Sequence, residues 1–249
     1  MSSLLDIITI TKDDLDGVLL TIESTRPLLK FPGVRQVIID GSSSQVKKLV
    51  EETARGEENV KYSWYEPSGI SSAFNHGLDL SASEWVWFLN GGDTFHPSMD
   101  CNTLLNILRM SNAEAIIFQI ETKQSHTRYQ HPPMWEIWPP VGSWIPHPAT
   151  IVKRQLFTRY GYFSEQYRIA MDYEMWLRLF SNYVIVDLIS MPIVLYDEAG
   201  VSSIRRKESI KEAKRILLSK AWMLVKRWLN NGRMIYRIIR DYHANSRLT

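Results

Sequence analysis

Glu84-Trp-Val-Trp-Phe-Leu-Asn-Gly-Gly-Asp-Thr-Phe-His-Pro97 decides how this chain is read, because an apolar run over residues 85–89 stops at a glycine pair and a lone carboxylate, Asp93. An uninterrupted apolar run of that length, rich in aromatic and β-branched residues and closed by glycine, predicts a strand covered on both faces. Ligands of open α/β sheets sit beyond the carboxyl ends of the strands, where Gly91 and Gly92 leave room for close approach to the backbone. A hard oxygen ligand such as Asp93 suits a divalent cation that also holds a ligand's phosphates. The same residues also suit a plain turn with a solvated carboxylate.

Upstream of this stretch, short β-rich runs alternate with longer amphipathic ones, which predicts βαβ units and a mostly parallel sheet flanked by helices. Strands are expected over residues 6–11, 34–40, 60–65, 85–89 and 115–121, and helices over 14–29, 45–55, 70–80 and 101–110. Beyond residue 122 the texture changes. Residues 127–148 hold six prolines and three tryptophans and predict an irregular wall or lid, whose tryptophans line an acceptor pocket or simply pack. A short strand at 149–152, helices at 155–160 and 172–180, and one or two strands within 183–195 complete the body. The expected division is a catalytic domain over 1–204, its halves meeting near 122–123, and a basic helical extension over 205–249.

With 249 residues, 45% of them hydrophobic, the chain can bury a large core. Cys101 is the single cysteine, so an intrachain disulfide is excluded and a reducing, cytoplasmic setting is expected. No signal segment opens the sequence, and no apolar run nears the roughly 18 residues of a spanning helix. The net charge of +2 conceals an asymmetry: residues 205–249 carry 13 Lys and Arg against 3 Asp and Glu, or +10, leaving −8 on the rest. A basic amphipathic tail of this kind suits the surface of an anionic bilayer, peripheral on the inner face of the cytoplasmic membrane, or packs on the body with a solvated face. No nucleic-acid recognition motif accompanies it.

Three carboxylates mark the candidate site. Asp40 ends Val-Ile-Ile, Asp93 follows the glycine turn, and Asp172 opens a predicted helix. Asp40 suits a base or ribose donor, Asp93 a metal on a pyrophosphate, and Asp172 a general base, with a helix N-cap as the alternative.

Five motifs in order carry a resemblance: Ile-Ile-Asp-Gly-Ser-Ser at 38–43, Glu-Pro-Ser-Gly-Ile-Ser-Ser-Ala-Phe-Asn-His-Gly at 66–77, Phe-Leu-Asn-Gly-Gly-Asp-Thr-Phe at 88–95, His-Pro-Ala-Thr at 147–150, and Gly-Tyr-Phe-Ser-Glu-Gln-Tyr-Arg-Ile-Ala-Met-Asp-Tyr-Glu at 161–174. Over about residues 6–200 the chain resembles family 2 glycosyltransferases of the GT-A fold, particularly bacterial enzymes that build colanic acid, O-antigen and capsule repeat units. The resemblance implies a nucleotide-sugar donor, foremost a UDP-sugar, a Mg²⁺ or Mn²⁺ ion, inversion at the anomeric carbon, and a glycan or polyprenyl-diphosphate-linked acceptor. It places Thr11, Asp40, Gly69, Asn75 and Asn90 on the donor, Asp93 on the metal, Asp172 as catalytic base, and His147 and Trp144 on the acceptor side. His147 also suits a packed loop histidine.

Three departures stand out. The first acidic position of the family's usual pair is Gly91 or Gly92, the loop at 66–69 is one residue short and lacks its Lys, and Ser72 stands where many relatives have Asp. They leave open a catalytically silent binding or scaffold subunit of a polysaccharide assembly complex. A nucleotidyltransferase is weaker still, since the loop at 12–17 offers little to a triphosphate.

Overall fold

The computed structural model describes residues 3–129, 145–182, 184–198 and 205–222. Strand β1 (Leu5–Thr11) leads through α1 (Leu15–Leu29) to β2 (Val34–Asp40), α2 (Ser44–Arg55), β3 (Val60–Trp64), α3 (Ile70–Leu80) and β4 (Trp85–Asn90). There follow β5 (Thr94–Phe95), α4 (Cys101–Met110), β6 (Ala115–Thr122), a 3-10 turn at His147–Ala149, β7 (Thr150–Lys153), α5 (Gln155–Tyr160), α6 (Met171–Phe180) and β8 (Val186–Tyr196). Residues 206–222 form a last helix, α7.

The eight strands make one sheet in the order β3-β2-β1-β4-β7-β6-β8-β5. The first four are parallel, as the alternating runs predict; β7 is antiparallel to both β4 and β6, and β8 returns parallel to β6. The sheet is therefore mixed in its second half.

β4 explains the two-sided burial. Trp85, Trp87 and Leu89 pack with Leu104, Leu105 and Leu108 of α4 on one face, while Val86 and Phe88 pack with Phe74, Leu78, Phe157 and Trp176 on the other. The period-2 alternation sends neighbours into separate cores, so every position must be apolar. Local caps set the helix starts: Asp14 accepts from the Gly17 N–H at 2.9 Å and Asp100 from the Thr103 N–H at 2.7 Å, each satisfying a first-turn donor.

The basic tail begins as a docked element. Ile216 of α7 is fully buried against Ala170, Tyr173 and Leu177, and Lys220 pairs with the buried Glu174 at 3.1 Å. Residues 223–249 lie outside the described residues, as does Trp144.

Candidate active site

The sheet brings Thr11, Asp40 and Asn90 to one edge. Thr11 sits opposite Asp40 in the β1–β2 register, and Asn90 pairs with Ile10 one rung below. Asp40 is fully buried; it accepts from the Ser42 N–H at 2.8 Å and the Tyr62 hydroxyl at 2.9 Å. Burial and the neighbouring Asp40 carboxylate push the Tyr62 phenol well above its ordinary range, so it stays a donor. Two rungs along β3, Trp64 exposes 39% of its surface, donates its indole N–H to the Ser42 carbonyl and lies under Lys47, whose ammonium is 4.2 Å from the ring centre. The expectation of Asp40 on this edge did not include its partners, although the alternation Tyr62, Trp64 along β3 was there to read.

The glycine turn is a corner built from three distant segments. Thr21 of α1 donates to the Asp93 carbonyl at 2.7 Å and accepts from the Gly92 N–H at 3.0 Å. Gly92 has φ +99, and a side chain there would come within 3.0 Å of an Asp197 carboxylate oxygen. The positive φ favours glycine at this position. Asp93 is 2% exposed; its Oδ1 accepts from the Asp197 N–H at 3.0 Å, and the Asn90 amide lies 3.4 Å from Oδ2. The Lys123 ammonium donates to the Gly92 carbonyl. Burial outweighs the Asp197 and Asn90 donors and the Lys123 charge and pushes the Asp93 carboxyl up to about 7. Thr21, Lys123 and Asp197 were not expected here. Asp197 had a signal of the same kind as Asp40, since it directly follows the apolar end of β8.

Gly69, with φ +133, precedes α3, whose first N–H groups have no side-chain cap. A small open depression lies there, lined by Ser68, Gly69, Ser71, Ser72, Tyr167 and Arg168. The Ser71 hydroxyl donates to the Ser164 carbonyl at 3.0 Å, joining the start of α3 to the segment that leads into α6. Asn75 makes a second bridge: its amide donates to the Phe163 carbonyl at 3.0 Å and accepts from the Phe163 N–H at 2.9 Å. In this structure Asn75 ties α3 to the loop at 161–165.

Asp172 is the second residue of α6 and is half-buried. The N-cap is Ala170, so the cap alternative for Asp172 does not hold. Its Oδ1 accepts from the adjacent Tyr173 N–H at 2.7 Å, and desolvation pushes the carboxyl up to about 6. A carboxylate with that pKa takes and returns a proton near neutral pH.

His147 is 7% exposed inside a cage of Phe74, Phe88, Phe163 and Trp176, with ring centres 5.3 to 5.9 Å away. Neither ring nitrogen has a hydrogen-bond partner among the described residues. Burial pulls its pKa down to about 3, so the ring is neutral.

The sequence matches the family model of glycosyl transferase family 2 over residues 6–212. An uncharacterised glycosyltransferase of Mycobacterium tuberculosis is 24% identical over 211 residues, 82% of this chain and 79% of the relative. One from Rickettsia typhi is 21% identical over 57% of this chain, which spans only 48% of that relative's length. Among solved structures, S. aureus TarS aligns with a TM-score of 0.65 at 18% identity, covering 87% of this chain and 39% of TarS. A TarS fragment in complex with UDP-GlcNAc aligns at 0.63, with 16% identity over 79% of this chain and 59% of the fragment. The mannosyltransferase PcManGT from Pyrobaculum calidifontis, in complex with GDP-Man and Mn²⁺, aligns at 0.61, with 13% identity over all of this chain and 81% of the other. At these identities the likeness establishes a GT-A type fold.

Proposed function

Because this chain belongs to glycosyl transferase family 2, we propose that it moves a sugar, with inversion, from a nucleotide-diphosphate donor to a hydroxyl of a glycan or polyprenyl-diphosphate-linked acceptor in bacterial surface polysaccharide assembly. The observation that carries this reading is Asp172: a desolvated carboxylate on the helix whose lead-in, Tyr167 and Arg168, lines the depression at the donor loop.

In the proposed reaction Asp172 takes the proton of the attacking acceptor hydroxyl. The neutral His147, the aromatic cage around it and Trp144 belong to the acceptor side. Thr11, Asp40, Asn90 and Gly69 line the donor side, with Asp40 held rigid by Ser42 and Tyr62. The exposed Trp64 ring offers the nucleotide base a stacking face.

For a divalent ion the chemistry of the corner fits: the Asp93 and Asp197 carboxylates are hard oxygen donors of the kind Mg²⁺ and Mn²⁺ take. Asp93 would hold it, with Asp197 beside it, and the ion would offset charge on the departing nucleotide diphosphate. Lys123 already brings one positive charge to the same corner.

The described part of the tail supports a peripheral seat on an anionic inner membrane surface. α7 docks by one face and leaves Ile210, Leu218 and Trp222 at 48%, 79% and 71% exposure, on the turns that carry Lys207, Lys211, Lys214 and Arg215. This combination suits an interfacial helix. No helix among the described residues is long and apolar enough to cross a membrane.

A thermal-shift screen of UDP-, GDP- and dTDP-sugars with and without Mn²⁺, followed by measurement of nucleotide diphosphate release, tests the reading. One donor class stabilises the protein by mass action and is turned over, and Asp93→Ala removes the Mn²⁺-dependent part of the shift. Stabilisation without release of nucleotide diphosphate under any acceptor condition would favour the silent subunit instead.

A further inference from the structure

We propose that Glu212, on the first turns of the basic tail, is a positioning residue for Asp172. The inference rests on the reading of Asp172 as the base. α6 starts without a side-chain cap, because its N-cap is Ala170. Its lead-in is capped from elsewhere: Glu212 Oε1 accepts from the Arg168 N–H at 3.0 Å, and Oε2 accepts from the Ile169 and Ala170 N–H groups at 2.9 Å each. A single carboxylate thus gathers three consecutive backbone donors from 42 to 44 residues away.

Bonds to an ionised acceptor are shorter and stronger than neutral ones, and a negative charge is favoured at a helix N-terminus. Burial pushes the Glu212 carboxyl up, but the three N–H groups and the Arg168 charge together outweigh it, so the ionised form is held. Asp172 lies two residues beyond the last clasped amide. The clasp therefore sets the direction in which the first turn of α6 leaves the loop. It also fixes Arg168 and its neighbour Tyr167, which line the depression at the donor loop.

Further along α7 the same face docks on α6 through contacts of its own. Glu212, Ile216 and Lys220 are spaced i, i+4, i+8 and form one stripe. Ile216 is fully buried on α6, and Lys220 reaches Glu174 in its first turn. The opposite face carries the exposed apolar and basic residues. One helix thus connects the surface proposed to meet the membrane with the backbone that aims the base.

The test uses the full chain and the donor identified by the screen above. Glu212→Ala should speed hydrogen–deuterium exchange at the amides of residues 168–172 and lower kcat at least about tenfold, because small displacements of a catalytic group are costly, with donor KM within about twofold. Glu212→Gln keeps an amide oxygen and should recover part of the rate; it carries the same test if the alanine variant does not fold. Lys220→Ala removes the neighbouring ion pair and should lower Tm while leaving kcat unchanged. A Glu212→Ala kcat within twofold of the parent, or an equal kcat loss in Lys220→Ala, overturns the positioning role. Unchanged exchange at 168–172 removes the clasp whatever Asp172 does. Turnover by Asp172→Asn removes the base reading and leaves the exchange result standing.

Discussion

The two ends of the parallel sheet bury carboxylates in opposite ways. At the amino end, Asp6 of β1 receives a two-pronged Arg35 guanidinium at 2.9 Å, the Ser81 hydroxyl at 2.7 Å and the Ala82 and Ser83 N–H groups at 2.9 and 3.1 Å. Burial pushes its pKa up, yet these donors together outweigh burial and hold the carboxyl below the ordinary value of 3.8. At the carboxyl edge and the helix beside it, Asp93 and Asp172 are desolvated with fewer donors and stand at about 7 and about 6. Asp6 and Asp93 are both hidden from water, whereas Asp172 is half-buried. The difference lies in how many donors the fold commits, and poorly compensated carboxylates are a physical signature of working sites.

Removing Asp172 should produce the largest effect and the cleanest break in that contrast. A general base contributes roughly 10²- to 10⁴-fold, so Asp172→Asn should lower kcat about 10³-fold while nucleotide affinity changes less than about twofold. In the parent, kcat should rise with pH through a midpoint near 6, as Asp172 ionises. Stability should move the other way. A folded-state pKa raised from 3.8 to about 6 contributes stability below pH 4 that is lost as pH rises through 6. At pH 7, Asp172→Asn should therefore be more stable than the parent, by roughly 1–2 kcal/mol after allowing for the open edge of this half-buried group. Full turnover, or a Tm loss at pH 7, would count against Asp172 as an under-compensated base.

Asp6→Ala tests the other end with the opposite sign. It strands Ser81, two backbone N–H groups and Arg35, and leaving such partners unpaired should cost about 3 kcal/mol, read as a fall in denaturation midpoint. The donor KM and the kcat of the folded fraction should stay at parental values, because Asp6 lies at the far end of β1 from Thr11. A selective loss of kcat would show that the two ends are coupled.

How much of this was legible in the sequence follows from the range of each interaction. The run at 85–89 announced a central strand because all five side chains are apolar, and the strand-end rule pointed to Asp40 and Asp93, while Thr11 and Asn90 came from the family resemblance. The orientation of β7 was not legible: four residues of Thr-Ile-Val-Lys fit a parallel or an antiparallel neighbour equally well. β5 has two residues and exists through its pairing with Leu195 and Val194. The stretch expected to form one or two strands within 183–195 forms one, over Val186–Tyr196. At the site, Lys123 and Glu212 bond to backbone groups distant in sequence and Asp197 gives its own N–H to Asp93, and a bond through a carbonyl or N–H imposes no side-chain pattern on the residue that supplies it. The charge of the tail was plain, but the division of α7 into a docked stripe and an exposed one depends on α6, which only the fold supplies.

The smallest expected effect concerns His147, which belongs to neither kind of carboxylate burial yet obeys the same accounting. Its ring sits among four aromatic side chains with its pKa pulled down to about 3 by burial, against an ordinary 6.5. The unfolded chain therefore binds a proton below pH 6.5 that the folded chain refuses until about pH 3, so the parent loses stability as pH falls through that window. By pH 5 the loss from this group reaches up to about 2 kcal/mol. Phenylalanine is close in size, apolar and at home against Phe74, Phe88 and Phe163, and it has no proton to refuse. His147→Phe should accordingly flatten the Tm profile between pH 7 and 5 while leaving Tm at pH 7 within a few degrees of the parent. An unchanged slope between those pH values would mean that the ring is solvated and paired in solution, and that the cage does not hold it neutral.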